Sequence, residues 1–336
     1  LDRHGPKEAD HFIAEVRWRG YWQGWLALRP AVWDSYQADL KHLFNQVQTQ
    51  SGLRRRWQSA CLGQTGIAPF DAWAHDLARS GYLHNHARMW FASIWVHTLE
   101  LPWQLGADFF LRHLLDGCPA SNTLGWKWVA GLQTIGKPYL ATPENIAKFT
   151  HGRFTEVTGL AGQAAPLAAP AHPDPTPLWD TRQPDRALPT GLILHEDNLN
   201  PAHILTDAPP LAGHVTLIAT ADQTPWQMAP HVGAFREQAA QDMHRKLADR
   251  IGPASAPLTS AQALKAWAQD QGFAQLITAD APVGPTKAVL DAYDTLSDGP
   301  PLIRARARLD ATAWPLATAG FFKFRAHIPK LLGLIT

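Results

Sequence analysis

Apolar residues in the first half of the chain recur at helical spacing. Phe12, Ile13, Val16, Tyr21 and Trp22 predict a helix over 9–27, and the same period predicts helices over 34–49 and 70–80. A further helix is expected from about Asn85 to Leu99, ended by Pro102, and another from Leu105 to Leu115, ended by the Asp116-Gly117 turn. From Gly162 to Thr190 this periodicity is lost, and seven prolines stand among alanines and polar residues, the composition of a semi-rigid linker. Beyond it the period changes. Short apolar runs at Gly191–His195, Val215–Thr220, Leu276–Thr278 and Leu302–Ala305 read as strands, most of them separated by amphipathic helices near 232–250, 260–271 and 285–297. That alternation predicts a mainly parallel sheet with crossover helices.

The expected fold class is therefore α plus α/β. An all-helical domain over 1–160 is followed by a proline-rich linker over 161–189 and a smaller α/β domain over 190–336. A length of 336 residues suits two domains, and 46% hydrophobic with 18% charged residues suits a folded globular chain. The net charge of +1 supplies no global attraction to nucleic acid, so any such surface must be a local patch. Cys61 and Cys118, the two cysteines, exclude a disulfide framework and a four-cysteine metal site, and no metal is expected. They fit a reducing compartment, and the expected location is cytoplasmic. No apolar run approaches the ~18 residues of a membrane span, since Trp90–Leu101 is interrupted by His97 and Glu100. No membrane partner is expected, and the protein is expected to be a monomer. The chain begins at Leu1 without a methionine, from which further residues upstream are expected. Neither GxGxxG nor a Walker lysine loop occurs in the second half.

Chemistry concentrates where tryptophan does: of 15 tryptophans, 11 lie at or before Trp128. The segment Gly81-Tyr82-Leu83-His84-Asn85-His86-Ala87-Arg88-Met89 puts Asn85, Arg88 and Met89 three and four apart, on one helical face, where they could line a mixed polar and apolar pocket. Asp116 follows a later helix and could pair with Arg88. That pairing is equally readable as an ordinary helix-anchoring salt bridge. Asn122, between Asp116-Gly117 and Gly125-Trp126, reads on its own as a turn former in a loop. Arg54–Arg56 is a charge run of the kind that usually forms a solvated face.

Taken together, Glu15–Arg19, Gln64-Thr65-Gly66 with Asp71, Gly81–Met89, Trp103 and Leu115–Trp128 resemble the FAD-binding core of photolyases and cryptochromes, over roughly residues 9–150. The resemblance implies FAD as cofactor, contacted by Arg19, Tyr82, Asn85, Arg88, Asp116, Gly117, Cys118 and Asn122. It implies that the Arg88–Asp116 pair lies against the flavin and helps hold its anionic, reduced form, and that Asn122 faces the flavin N5 atom. Trp126 and Trp103 match the inner and middle members of the chain that carries electrons to photoexcited flavin. The distal member would fall near Gln50 and is absent there, with Trp57 or another surface tryptophan as replacement or a shorter chain as the alternative.

Trp18 and Trp128 match the pair that flanks a flipped pyrimidine dimer, Glu15 the carboxylate that bonds its base edge, and Asn85, His86 and Met89 line the DNA side. With Trp126, Trp103, Asn122 and Glu15 as the catalytic set, the implied enzyme is deoxyribodipyrimidine photolyase-like, a carbon-carbon lyase whose light-excited reduced flavin donates an electron to the lesion in damaged DNA. A cryptochrome-like photoreceptor without repair is the alternative, and a tryptophan-rich scaffold without flavin is a third. Basic residues Arg17, Arg19, Arg54–Arg56, Lys127 and Lys137 are the expected DNA path. Three departures stand out: His86 replaces an arginine, Cys118 replaces a second aspartate, and the Ser-x-Leu-Ser-Pro stretch that grips the FAD phosphates is not among these residues. The second half resembles the family's antenna domain in a permuted position, which implies a folate or deazaflavin as second chromophore. An unrelated fused α/β domain is the competing reading.

Overall fold

The helical period of the first half is realised as α1 (Asp10–Ala27), α2 (Ala31–Thr49), α3 (Ser51–Cys61), α4 (Ala68–Ser80), α5 (Asn85–Ser93), α6 (Trp103–His113), α7 (Pro119–Val129) and α8 (Pro143–Phe149) in a computed structural model. It describes residues 5, 8–168, 170–206, 208–219 and 224–334. The helix expected to run to Leu99 ends as a single π turn, Ile94–Thr98, with Leu99 N donating to Ile94 O at 2.9 Å. Helices α3, α7 and α8 are additions to the sequence reading. In α7 the small and polar residues Ser121, Asn122, Thr123 and Gly125 hide the helical period, so Asn122 is a buried helical residue and not a turn former in a loop.

Residues Ala31–Pro173 and Thr224–Val232 form one unit by packing. Its core is aromatic: Phe70 stacks on Phe91 at 4.1 Å, Trp73 on Trp90 at 5.5 Å, and Trp95 meets Trp126 edge-on at 6.0 Å. Asp71 explains the Gln64-Thr65-Gly66 motif structurally. Its carboxylate accepts from Thr65 N at 2.9 Å, Thr65 Oγ1 at 2.7 Å and Gly66 N at 2.9 Å, tying the turn that precedes α4. Arg54 donates to the carbonyls of Val47 and Gln48, so it closes the carboxyl end of α2, and only Arg55 and Arg56 of the charge run are fully exposed. A buried ion pair, Arg112 Nε to Asp108 Oδ2 at 2.7 Å, sits beside the segment that carries Trp226.

The second unit comprises Leu1–Pro30, Asp174–Gln223 and Gly233–Thr336. Its sheet has the order β2-β1-β3-β4, with β1 (Thr190–His195), β2 (Leu211–Leu217), β3 (Gln275–Ala279) and β4 (Leu302–Ala305) all parallel. Strand β2 starts earlier than its apolar run, and Thr220 of the expected strand lies outside the described residues. Successive side chains of β1 serve opposite faces. Leu192 and Leu194 pack with Ile204 of α9 (Ala202–Leu205) and Leu247 of α10 (Pro230–Ile251), whereas Ile193 packs with Leu264 of α11 (Ala261–Asp270) and Leu290 of α12 (Pro285–Asp294). Cover on both faces is why the strands read as unbroken apolar runs.

The boundary drawn between 1–160 and 190–336 differs from the packing in two places: Thr224–Val232 belongs to the helical unit, and helix α1 to the α/β unit. Helix α1 packs with the end of the chain, α13 (Arg308–Ala313), α14 (Phe321–Arg325) and α15 (Ile328–Leu332) being the elements there. Trp314 lies against Gly24, Tyr21 Oη donates to Ala319 O at 2.8 Å, Arg29 Nη2 to Thr318 O at 2.9 Å, and Arg325 pairs with Asp10 at 2.6 Å. The face of α1 that carries Ile13, Tyr21 and Gly24 is therefore the buried one, while Phe12 and Val16 are exposed. Hydrophobic spacing alone gave both faces equal claim. Among the described residues no helix is long and apolar enough to cross a membrane, and no group of three or more acidic, histidine or cysteine side chains could hold a metal.

Candidate functional site

Two loops of the helical unit build the Arg88 site. The first closes α4 at Gly81, whose φ of 69° is left-handed and whose missing side chain lets Leu115 and His113 O approach. Leu115 N donates to Gly81 O at 3.0 Å, so this loop is clipped to the one after α6. The clip brings Arg88 and Asp116 together. Arg88 Nη2 lies 3.1 and 3.0 Å from the two Asp116 oxygens, and Arg88 Nε donates to Leu83 O at 2.8 Å. The pair faces outward, with side chains 25% and 61% exposed, alongside the exposed Asn85 and an exposed Tyr82 whose ring lies 5.8 Å from the Arg88 guanidinium. An exposed pair contributes about 0–1 kcal/mol to stability. Its position at a solvent-facing edge suits ligand contact better than stabilisation.

Gly117 and Cys118 lead from Asp116 into α7. Asn122, buried on its first turns, donates from Nδ2 to Ala107 O of α6 at 2.7 Å, which leaves its carbonyl oxygen as the atom directed away from that helix. Trp126, one turn on, is buried with Nε1 unpartnered and meets Phe110 edge-on at 5.0 Å. Trp103 stacks on Tyr36 at 5.5 Å, and the Lys127 ammonium lies 5.6 Å from its ring. Burial lowers the Lys127 pKa against the opposing charge of Asp39. Trp57 packs on Trp226 at 5.0 Å. Sequence reasoning missed Tyr36 and Trp226, and only their aromatic character signalled them.

The residues expected to face DNA divide between the two units. Met89 and Trp128 are half-buried in the helical unit, and Trp128 stacks on Tyr139 at 5.5 Å. His86 packs against Trp90 at 5.5 Å and Phe149 at 4.8 Å. Glu15, Trp18 and Arg19 belong to α1 and so to the α/β unit, where Glu15 and Arg19 are exposed and Trp18 stacks on Phe321.

These residues fit a flavin ring system in part. Arg88 and Asp116 are open to a ligand, and Asn122 and Trp126 lie on the next helix. Cys118 is a buried thiol that offers no carboxylate, and the Thr65-Gly66 turn has its amides taken by Asp71, so it offers none to a phosphate. Fold and site together define a protein of two units, one helical and carrying the Arg88–Asp116 site, the other a small parallel α/β unit. Residues 12–152 match the family described as the FAD binding domain of DNA photolyase.

Deoxyribodipyrimidine photo-lyase of Streptomyces griseus is 34% identical over 185 residues, covering 54% of this chain and 38% of that protein. The enzyme of the same name from Vibrio cholerae is 30% identical over 131 residues, 39% of this chain and 27% of its own length. That of Thermus thermophilus is 34% identical over 144 residues, 41% of this chain and 32% of its own. The matches thus span well under half the length of these relatives.

Proposed function

We propose that this protein is a light-dependent FAD flavoprotein that repairs ultraviolet-induced pyrimidine lesions in DNA. The observation that carries the reading is the Arg88–Asp116 pair on the solvent-facing edge, followed by Asn122 and Trp126 on α7, inside the segment that matches the FAD-binding family. Bound FAD supplies one-electron chemistry under light. With FAD bound, Arg88 would offer positive charge to the flavin, Asp116 would fix the guanidinium, and the Asn122 side chain, held by Ala107 O, would offer its carbonyl oxygen as a hydrogen-bond acceptor. Trp126 and Trp103 are the buried oxidisable rings that would pass electrons to the flavin. Asn85, Met89 and Trp128 of the helical unit contact the flipped lesion in this reading, and Glu15 and Trp18 are separate DNA contacts of the α/β unit. A folate- or deazaflavin-type antenna belongs to the α/β unit in this reading.

The test uses the full chain with FAD added and reduced, illuminated with an oligonucleotide that carries a thymine dimer. Loss of the dimer in the light and not in the dark is expected, and Trp126→Phe is expected to slow photoreduction of the oxidised protein. Persistence of the dimer with fully reduced FAD bound sinks repair of that lesion.

A photoreceptor without repair is the second reading, favoured by two observations. Phe321 covers a face of Trp18, and His86 packs on Trp90 and Phe149 where an arginine would reach for DNA. Light-driven change in the flavin spectrum with no affinity for dimer-containing DNA would select it.

A further inference from the structure

The α/β unit holds a second constellation that the flavin reading does not use. From β1 the chain turns to β2 on one side, and from β3 to β4 on the other. The carboxyl ends of β1 and β3 are therefore the switch point of the sheet, where diverging loops leave a crevice in open parallel sheets. Asp280 stands directly after β3, Arg306 directly after β4, and Lys287 in the first turn of α12. His195 is fully buried at the end of β1, with Nε2 donating to Ala279 O at 3.0 Å and Nδ1 accepting from Asn198 N at 3.2 Å.

The proline-rich segment delivers Trp179 to this point. Its Nε1 donates to Asp280 Oδ1 at 2.8 Å, while Arg306 Nε donates to Asp280 Oδ2 at 2.6 Å and Arg306 Nη2 to Trp179 O at 2.9 Å. The Lys287 ammonium lies 4.4 Å and the Arg306 guanidinium 5.1 Å from the indole centroid. The Asp280 and Arg306 side chains are only 2% and 11% exposed. Asp174–Pro177 and Asp180–Gln183 on either side of the insertion are exposed. The other backbone bonds of the segment lie towards its ends: Thr176 N donates to Leu28 O at 2.8 Å, Asp185 exchanges bonds with the Gln275 side chain at 3.1 and 2.6 Å, and Pro189 O accepts from Ala274 N at 3.0 Å.

Apolar contact alone would anchor a linker. Burying a carboxylate and a guanidinium to do so carries a desolvation cost that a hydrophobic anchor avoids. The arrangement is instead that of ring recognition: an in-plane acceptor for an N–H, and cations over an electron-rich face. We propose that the crevice is a binding site for a neutral, electron-rich fused bicyclic ring with an in-plane N–H, and that Trp179 is its built-in occupant. Residues Asp174–Pro189 then form a strap that a free ring of this class displaces. Because the strap competes, the apparent affinity of the wild-type protein is reduced by the fraction of time the crevice is open.

The test titrates the full chain with indole, and with benzothiophene, which has the same shape without the N–H. Trp179→Ala is expected to bind indole at least 10-fold more tightly than wild type and at least 5-fold more tightly than benzothiophene. Asp280→Asn in that background is expected to erase the preference. In wild type, millimolar indole is expected to speed tryptic cleavage at Arg182. Equal binding of the two rings by Trp179→Ala, or no binding of either, overturns the proposal. If Trp179→Ala does not fold, wild-type cleavage decides: an unchanged rate overturns it. None of these readouts depends on FAD, so failure here leaves the flavin reading standing.

Discussion

Trp18 and Phe321 lie face to face, with ring centroids 3.6 Å apart and planes 13° from parallel. Residues some three hundred positions apart thus share one aromatic cluster, to which Tyr21 adds its edge and Trp22 a tilted ring. A base that stacks on that face of Trp18 must take the place of Phe321. Phe321→Leu keeps most of the buried volume and removes the flat ring. It is expected to raise affinity for an oligonucleotide with a thymine dimer at least 3-fold, measured by fluorescence anisotropy. Unchanged or weaker binding would show that this face of Trp18 is not used for a base.

Gly106 is set by Trp126. A methyl group at position 106 would stand 2.3 Å from Trp126 Cη2 and 3.0 Å from Trp95 Cε2, both in buried rings with no room to withdraw. Gly106→Ala is expected to destabilise the helical unit by about 1–3 kcal/mol, as overpacking of a filled core does. Urea unfolding followed by tryptophan fluorescence checks this. The same displacement of Trp126 is expected to lower FAD affinity, whereas Gly20→Ala, in open space on α1, should leave both unchanged.

Much of this was legible in the sequence, for physical reasons. Helices α2, α4 and α6 each bury a face that their apolar period announces, and strands β1, β3 and β4, covered on both faces, stand out as unbroken apolar runs. Helix α7 escaped because its buried residues include Asn122 and Thr123, which propensity assigns to turns. The packing of α1 escaped because Phe12 and Val16 repeat at helical spacing on the exposed side. The Arg88–Asp116 pairing was accessible from residue types, but the clip from Leu115 N to Gly81 O that creates it is a backbone bond with no side-chain signature. Trp179 was invisible as anything but linker, since its partners Asp280, Lys287 and Arg306 meet only when the parallel sheet forms.

Acid is expected to weaken the α/β unit through His214. This side chain on β2 is 1% exposed with both ring nitrogens unpartnered, and burial, assisted by the neighbouring His244, lowers its pKa to about 4. The unfolded imidazole titrates near ~6.5. Below that pH the unfolded chain takes up a proton that the folded one refuses, so stability is retained above about 6.5 and lost as pH falls towards about 4. From pH 6.5 to 5 the loss is about 1.5 kcal/mol, the slope rising from half of ~1.4 kcal/mol per pH unit towards all of it. His214→Leu removes the titration, so its urea midpoint should fall less over that range than the wild-type midpoint. An equal fall would assign the acid sensitivity elsewhere.

The last prediction separates a ligand contact from a surface salt bridge. Arg88–Asp116 and Arg79–Asp76 are both exposed pairs of the helical unit with N–O distances of 3.0 Å, so bond length gives no reason for them to differ. Their surroundings do differ. Asp116 sits beside Gly117 and the start of α7, and Arg88 is braced by Leu83 O, so the guanidinium is held in one orientation at the edge of the Asn122 helix. Arg79 is 81% exposed at the end of α4 and only touches a carboxylate one turn away. Asp116→Asn should therefore change unfolding free energy by less than about 1 kcal/mol, as removal of an exposed charge pair does. It should also weaken FAD binding at least 10-fold, because Arg88 loses the partner that fixes and neutralises it. Arg79→Ala should match the first effect and lack the second. Flavin fluorescence on titration with each purified variant reads the difference. Equal FAD affinity in Asp116→Asn and Arg79→Ala would reduce the Arg88–Asp116 pair to a clip between two loops.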